Sequence, residues 1–354
     1  MNIQDKRVDY IDVAKAIGII CVVAFHAQIL ANVSTQFHMP LFAFLSGLLF
    51  NSRYYGNGKN VFLWAKKKVK GIYIPFIKYN LLFLFFHNFF WKFNILSIAN
   101  NSKQLTLRES VSQGVKILAL GAGESLVGPL WYLIAMLEFT IIYCLIRYLS
   151  AFLFEDVRKQ KVFVTIVCVF AMGIGFSRID LPRNLNLAMI LMMYYHLGYE
   201  IGINKMIKIT EICASKWLID FITVLILIIG AYNSVSWDTF HVITVLSSLC
   251  GIWLVFRCAM KLSEGKKGKI YLYFSYIGKN SMEILALHLI AYKVVMKIQI
   301  LVDGLEPTLL GAFPIIPQSN IFWKILLVLS GINIPLLYVL IKNKIIYLYK
   351  KRLK

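Results

Sequence analysis

Long apolar runs constrain the fold of this chain more than any other feature of its sequence. A helix of about 20 apolar residues spans the ~30 Å hydrocarbon layer of a bilayer, and we count about ten such runs among the 354 residues. Hydrophobic residues make up 59% of the chain and charged residues 16%, whereas soluble domains have about 45–50% and about 25%. The sequence therefore predicts an all-α integral membrane protein, a single domain over residues 1–354 built as a bundle of about ten transmembrane helices.

The predicted spans, read from the apolar runs, are Ile11 to Ala31, Phe37 to Phe50, Ile72 to Trp91, Leu130 to Leu149, Val162 to Phe176, Leu185 to Ile203, Trp217 to Tyr232, Phe240 to Met260, Ser281 to Leu301, and Ile321 to Leu340.

The distribution of basic residues gives an orientation for these spans. Cytoplasmic loops carry an excess of Lys and Arg. With the N-terminus inside, the inner segments hold 25 Lys and Arg and the outer segments hold 6. Both termini are therefore predicted to be cytoplasmic. The formal charge of +21 is then mainly a signal of topology, and no extramembrane module is predicted that would bind nucleic acid.

Two other classes of structure are disfavoured. The six cysteines lie scattered in mostly apolar stretches with no C-x-x-C pair, so we expect neither a disulfide framework nor a metal site. The first apolar run is long enough to span and has no small-residue cleavage site after it, so we predict a retained first helix whose neighbours are membrane lipids.

Asp12, Lys15 and His26 place ionisable groups in the first predicted helix. Such groups at membrane depth indicate function because their desolvation is costly. Lys15 and His26 are eleven residues apart, so they share a helix face to within ~20° and are separated by ~16 Å of rise. Asp12 is one turn before Lys15 and can pair with it. The alternative is that the two charges are interfacial and His26 is a packing residue, and spacing alone does not separate these interpretations.

His38 begins the second predicted span, close in sequence to the end of the first. The short connection makes the two helices neighbours, so His26 and His38 are predicted to line one cavity, although His38 by itself is typical of an interfacial residue. Pro40 suits the first turn of a helix, and Ser46-Gly47 permits close helix packing.

Further candidates lie in other segments. Trp131 suits either an interfacial aromatic belt or stacking on a sugar ring. Asn280 and Glu283 have the spacing of a capping box. Residues 105–118, in the longest outer connection, have apolar positions at helical spacing and predict an interfacial helix. Also candidates for a cavity lining are Glu138, His196, Glu200, His288 and Lys293.

Five short motifs follow one another along the chain: Arg7-Val8-Asp9-Tyr10-Ile11-Asp12-Val13-Ala14-Lys15 leading to His26, His38-Met39-Pro40-Leu41-Phe42 with Ser46-Gly47, Gly128-Pro129-Leu130-Trp131-Tyr132-Leu133, His196-Leu197-Gly198-Tyr199, and Ile277-Gly278-Lys279-Asn280-Ser281-Met282-Glu283-Ile284 leading to His288. In this order they resemble the acyltransferase 3 family of integral-membrane O-acyltransferases, and within it the fucose 4-O-acetylase-like branch. The resemblance covers nearly the whole chain.

The resemblance implies transfer of an acetyl or other acyl group from acetyl-CoA to a hydroxyl of a cell-surface polysaccharide or its lipid-linked precursor, at the plasma membrane. The family's signature of a basic residue and a catalytic histidine falls on Lys15 and His26, with Asp12 beside them. The family's Arg-x-x-Arg signature before the third helix is not kept, because Lys68 and Gly71 stand there. The substrate-binding residues we expect are His38, Trp131, Lys67, Lys68, Lys70 and His288.

The residue chemistry agrees with this activity. A sugar hydroxyl is a weak nucleophile near neutral pH, and histidine is the usual general base for it. His26 is predicted either to take the hydroxyl proton or to carry the acyl group itself. The basic residues before the third span suit the phosphates of coenzyme A. Two alternatives stay open from the residues, a transporter or flippase of lipid-linked glycans and a scaffold of a membrane assembly.

Overall fold

The computed structural model describes residues 3–96, 103–121, 123–177, 179–213, 216–232, 242–264 and 268–352, and no strand occurs among them. The predicted all-α class is confirmed. The described residues form α1 (Ile3–His26), α2 (Ala31–Thr35), α3 (His38–Leu48), α4 (Gly58–Lys68), α5 (Ile74–Phe85), α6 (His87–Lys92), α7 (Leu107–Leu118), α8 (Trp131–Leu153), α9 (Val157–Gly175), α10 (Leu185–Ile212), α11 (Trp217–Tyr232), α12 (Val242–Glu264), α13 (Lys269–Lys279), α14 (Ser281–Asp303) and α15 (Ile321–Arg352).

Several helices are long and apolar enough to cross a membrane. Within the described residues there are four, or five if α10 and α11 form one bent span. This supports a multi-pass membrane protein. The four are Ser125–Leu153, Val242–Glu264, Ser281–Asp303 and Ile321–Lys351.

Two predicted spans are not single long helices. The span predicted over 37–50 is α3, which has 11 residues and is ~16 Å long, about half the ~30 Å of a hydrocarbon layer. The span predicted over 72–91 divides into the end of a π-helical turn (Val69–Tyr73), α5 and α6.

Two other predicted spans differ at their ends. The helix α10 extends past the predicted Ile203 and has a left-handed Gly202 inside it, with φ of 65°. The span predicted from Phe240 begins outside the described residues, at 233–241.

Two compact units make up the chain. The first comprises Met1–Ile11, Thr35–Lys78 and Leu130–Lys261, and the second comprises Asp12–Ser34, Tyr79–Pro129 and Leu262–Lys354. All six cysteines are free.

The core of the first unit depends on close contact between α3 and α10. A Cβ added to Gly47 would lie 2.0 Å from the carbonyl oxygen of Tyr195, and one added to Gly198 would lie 2.3 Å from that of Phe44. Each glycine therefore lets the opposite backbone approach, as small residues do between transmembrane helices. The expectation that Ser46-Gly47 permits close packing is confirmed.

In the second unit, glycines bring α13 and α15 close to their neighbours. A Cβ added to Gly278 on α13 would lie 1.8 Å from the Asp12 carbonyl oxygen on α1. One added to Gly331 on α15 would lie 2.6 Å from the Tyr292 ring and 2.9 Å from Val23. The Tyr292 hydroxyl donates a hydrogen bond to the Val23 carbonyl oxygen. These contacts set the positions of α1 and α14, which carry the candidate site.

The two predictions about helix starts have opposite outcomes. The helix predicted over 105–118 is confirmed as α7, and Thr106 and Glu109 close a capping box at its start, while its interfacial position stays a prediction. The capping box predicted at Asn280 and Glu283 is wrong. The Asn280 side chain donates to the carbonyl oxygen of Tyr276 instead, and Glu283 lies 3.6 Å from Lys342.

Candidate active site

The candidate active site lies in the second unit and begins with the polar residues of α1. Asp12 and Lys15 are one turn apart, and the Lys15 Nζ lies 3.6 Å from the Asp12 Oδ1. The Asp12 carboxylate is almost buried while the Lys15 side chain is partly exposed. The predicted pairing is confirmed, and it neutralises a carboxylate that would otherwise be costly to bury.

Two of the sequence motifs meet at this pair. The backbone of Gly278, from the motif before α14, contacts the backbone of Asp12 so closely that no side chain fits between them. This contact is backbone to backbone, so it fixes the depth at which α1 lies against α13. A larger residue at position 278 would displace the turn that carries Asp12 and Lys15.

His26 lies at the other end of α1, ~16 Å of rise from Lys15. Its ring centroid is 5.1 Å from that of His288 on α14, with 38° between the ring planes. His288 is fully buried. The structure thus brings together two imidazoles that are more than 260 residues apart in sequence, and both had been predicted as site residues.

The hydrogen bonds of His288 determine its tautomer. Its Nδ1 lies 3.0 Å from the carbonyl oxygen of Ile284 and 3.0 Å from that of Leu285. Carbonyl oxygens only accept hydrogen bonds, so this assigns the ring hydrogen to Nδ1. The lone pair is therefore on Nε2, which is buried and has no hydrogen-bond partner among the described residues.

A buried acceptor without a donor is costly and rare in folded proteins. Beside a second histidine, such an acceptor suits a proton or a hydroxyl that arrives with a substrate. A third ring, that of Tyr292, packs beside His288. The Tyr292 ring lies 5.7 Å from His288 and is held by its hydrogen bond to Val23.

The remaining predicted site residues belong to the first unit. His38 is the buried first residue of α3. Trp131 is the first residue of α8 and is 41% exposed, and its carbonyl oxygen accepts a hydrogen bond from Asn184 at 3.4 Å. The structure does not test whether His38 and His26 share a cavity, and this stays a prediction.

The three predicted lysines differ in their surroundings. Lys68 and Lys67 on α4 have their Nζ atoms 4.4 Å and 5.8 Å from the centroid of the Trp64 ring. Lys70 lies exposed in the π-helical turn that follows. Burial, together with the charge of Lys67, lowers the pKa of Lys68 to about 8. An ammonium with such a pKa is partly neutral in mild alkali, so its contribution to anion binding depends on pH.

Two further candidates have structural roles. Both ring nitrogens of His196 are engaged, with the Tyr143 hydroxyl at 2.9 Å and the Thr165 hydroxyl at 2.9 Å. The Lys293 ammonium donates to two carbonyl oxygens in the loop after α14, at 2.9 and 2.7 Å. Neither side chain is left available for chemistry. Among the described residues, no three His, Cys, Asp or Glu side chains are grouped as a metal ion requires.

Sequence reasoning named Glu200 as a candidate but missed its buried partner Arg147. Arg147 on α8 was counted only as a basic residue near a cytoplasmic loop, yet it is 3% exposed and lies 3.6 Å from Glu200. No local pattern signals this, because Arg147 lies near the end of an apolar run, where a basic residue is typical of a cytoplasmic flank. Its partners come from α10 and from the segment after α3.

Comparison with known proteins gives a family. The acyltransferase 3 family model, described as an acyltransferase domain, matches residues 8–341. This range contains every predicted site residue. None of the curated proteins and no solved structure matches the chain.

Proposed function

The chain belongs to the acyltransferase 3 family, and from this premise we propose that it transfers an acetyl or other acyl group from acetyl-CoA to a hydroxyl of a cell-surface polysaccharide or its lipid-linked precursor. The single observation that carries the proposal is the pairing of His26 with His288, whose Nε2 has no partner. Acyl transfer to a hydroxyl requires a base for the hydroxyl proton. Paired imidazoles supply one.

In the proposed reaction, the acceptor hydroxyl approaches His26, which takes its proton as the oxygen attacks the thioester carbonyl carbon. A carbon–oxygen bond forms, the carbon–sulfur bond breaks, and coenzyme A leaves as a thiolate that accepts the proton from His26. In the alternative route, His26 attacks the thioester carbonyl carbon, the carbon–sulfur bond breaks and coenzyme A leaves as a thiolate. The hydroxyl then takes the acyl group from His26, and its proton passes to the thiolate. Both routes begin with a neutral His26 and end with an ester and free coenzyme A.

His288 is proposed to contribute a fixed acceptor beside this chemistry. Its Nδ1 hydrogen is held by the α14 backbone, so the orientation of Nε2 is set before substrate binds. An acceptor that is already oriented does not have to reorganise during the reaction. We assign His288 to binding a second hydroxyl of the acceptor, because the reacting hydroxyl has one hydrogen and gives it to His26.

The other predicted residues are assigned to substrate binding. Lys67, Lys68 and Lys70 suit the phosphates of the donor as point charges. Lys15 is ~16 Å of rise from His26, so it suits a part of the extended donor away from the thioester, with Asp12 holding it. His38 and Trp131 are proposed to contact the acceptor.

The proposed topology places the donor side of the protein in the cytoplasm. Ten spans with both termini inside leave 25 Lys and Arg on the inner segments and 6 on the outer, as the positive-inside rule requires. The proposed location is the plasma membrane. Within the family, the motif sequence supports the fucose 4-O-acetylase-like branch.

The test compares O-acetyl esters on surface glycans of cells that carry wild-type protein or His26→Ala at equal membrane abundance. We expect the variant to lose the esters. The matched control is His87→Ala, because both ring nitrogens of His87 make structural contacts, with Glu124 at 3.0 Å and the Lys103 carbonyl oxygen at 2.9 Å. Undiminished acetylation in His26→Ala would end the proposal.

A further inference from the structure

The first unit holds a buried charge that the proposed reaction does not use. Arg147 lies on α8 and its side chain is 4% exposed. A guanidinium in such a place is always charged and costs several kcal/mol to desolvate, unless its donors and its charge are matched. The groups that pair with the Arg147 guanidinium therefore bear on its function.

Aromatic side chains satisfy one part of the guanidinium. Its Cζ lies 4.8 Å from the centroids of both the Tyr55 and the Tyr199 rings. Its Nη2 donates to the Tyr55 hydroxyl at 2.7 Å and more weakly to the Tyr199 hydroxyl at 3.4 Å. The side chain is thus held firmly by stacking and by one of its three nitrogens.

The other two nitrogens are not satisfied. Nε and Nη1 are buried and have no hydrogen-bond partner among the described residues. The nearest counter-charge is Glu200, whose Oε1 is 3.6 Å from Nη1, a distance too long for a hydrogen bond. Arg147 therefore has a loosely held carboxylate and two donors free for an anion.

Glu200 is held more tightly by another residue. Its Oε2 lies 3.0 Å from the Nζ of Lys161 on α9. The side chains of Glu200 and Lys161 are 20% and 57% exposed, so this edge of the cluster can be reached from outside the protein. An incoming anion can take the place of Glu200 at Arg147, while Lys161 continues to neutralise the displaced carboxylate.

A group of buried aromatic rings, with lysines beside it, adjoins the cluster. The Phe50 ring stacks on Tyr55 at 5.9 Å and contacts Trp64 at 5.3 Å. Lys67 and Lys68 lie over Trp64 in turn. The Phe50, Tyr55 and Trp64 rings are buried, and the lysines beside Trp64 supply positive charge that suits the phosphates of a nucleotide.

We propose that Arg147 binds a phosphate group of the coenzyme A donor, which displaces Glu200 from it. The inference rests on the proposed function, since that function supplies an acyl-CoA donor. It adds a donor-binding residue in α8 to the lysines of α4. Arg147 is assigned to binding only, because nothing places it near His26.

The experiment measures equilibrium binding to the purified full-length protein in detergent, with coenzyme A and with pantetheine, which has the same thiol arm but no phosphate. Wild type is expected to prefer coenzyme A. Arg147→Met is expected to weaken coenzyme A binding by about tenfold or more, the effect of losing a charge-assisted phosphate contact, and to leave pantetheine binding unchanged. Glu200→Gln, which removes the competing carboxylate, is expected to tighten coenzyme A binding.

The matched control is Arg257→Met in the same unit, because the Arg257 guanidinium is fully engaged with Asp220 through contacts of 2.7 and 3.1 Å. It is expected to bind both ligands as wild type does. Equal coenzyme A affinity in Arg147→Met and wild type would overturn the assignment of Arg147 and leave the proposed function standing. A parallel loss of coenzyme A and pantetheine, or no tightening in Glu200→Gln, would also overturn it. A wild type that does not bind coenzyme A would overturn both proposals.

Discussion

Replacing Gly278 with alanine should separate the two motifs that meet at Asp12. The added Cβ would lie 1.8 Å from the Asp12 carbonyl oxygen, and ordinary contact begins at 3.4 Å, so the backbones of α13 and α1 must part by roughly 1.6 Å. Overpacking of this kind costs about 1–3 kcal/mol of stability. A misplacement of ~1 Å in a substrate-positioning residue can reduce a rate by ~100-fold, so we expect a loss of transfer of that order.

The assay is the initial rate of acyl transfer by purified protein, together with its thermal unfolding in detergent. The matched control is Gly173→Ala on α9, because an added Cβ there meets nothing within 4 Å. Alanine is the better helix former by about 1 kcal/mol, so this control should be neutral or slightly stabilising. If Gly278→Ala unfolds at the same temperature and transfers at the same rate as the control, the reasoning about this contact is refuted.

Two further predictions concern the ionisable side chains. Because the pKa of Lys68 is lowered to about 8, its positive charge is lost as the pH rises through that value, and the affinity for coenzyme A should fall between about pH 7 and pH 9. Lys68→Arg keeps its charge over this range, so its affinity for coenzyme A in equilibrium binding measurements should change less with pH. An unchanged pH dependence would exclude this role for Lys68. His288→Gln keeps an acceptor in place of Nε2 and should retain part of kcat at saturating substrates. His288→Leu has no acceptor and should lose nearly all of kcat. Equal rates in the two variants would contradict the role given to Nε2.

The sequence predicted the long helices well and the short ones poorly, for a physical reason. The helices α14 and α15 are long and mostly apolar, so hydropathy alone locates where they begin. The run predicted over 72–91 is just as apolar, yet its backbone changes from a π-helical turn to α5 and then to α6. Such breaks depend on tertiary packing, which overrides a hydropathy pattern.

The candidate site shows the same limit. The spacing of Asp12 and Lys15 predicted their ion pair, because local helix geometry fixes which side chains meet. The approach of His26 to His288 depends instead on which helices pack together, and on Gly331 allowing α15 close to Val23 and Tyr292. Apolar periodicity carries no information about such partners, so only the family resemblance linked the two histidines.

The burial of Arg147 could not be predicted from the distribution of basic residues in the loops. A basic residue at the end of an apolar helix is typical of a cytoplasmic flank, and nothing nearby in sequence indicates that Tyr55 and Tyr199 enclose it. Its partners lie about 90 and about 50 residues away. Because the structure shows that Arg147 is buried, it is a candidate binding residue as well as a basic residue near a predicted cytoplasmic loop.

The most direct test of the central claim is the release of free coenzyme A by purified protein given acetyl-CoA and an acceptor glycan, measured together with the ester formed on the glycan. The proposed function predicts that wild type releases one coenzyme A for each ester formed and that His26→Ala does neither. A wild type that binds or moves the glycan without releasing coenzyme A, as a transporter or flippase would, contradicts the account.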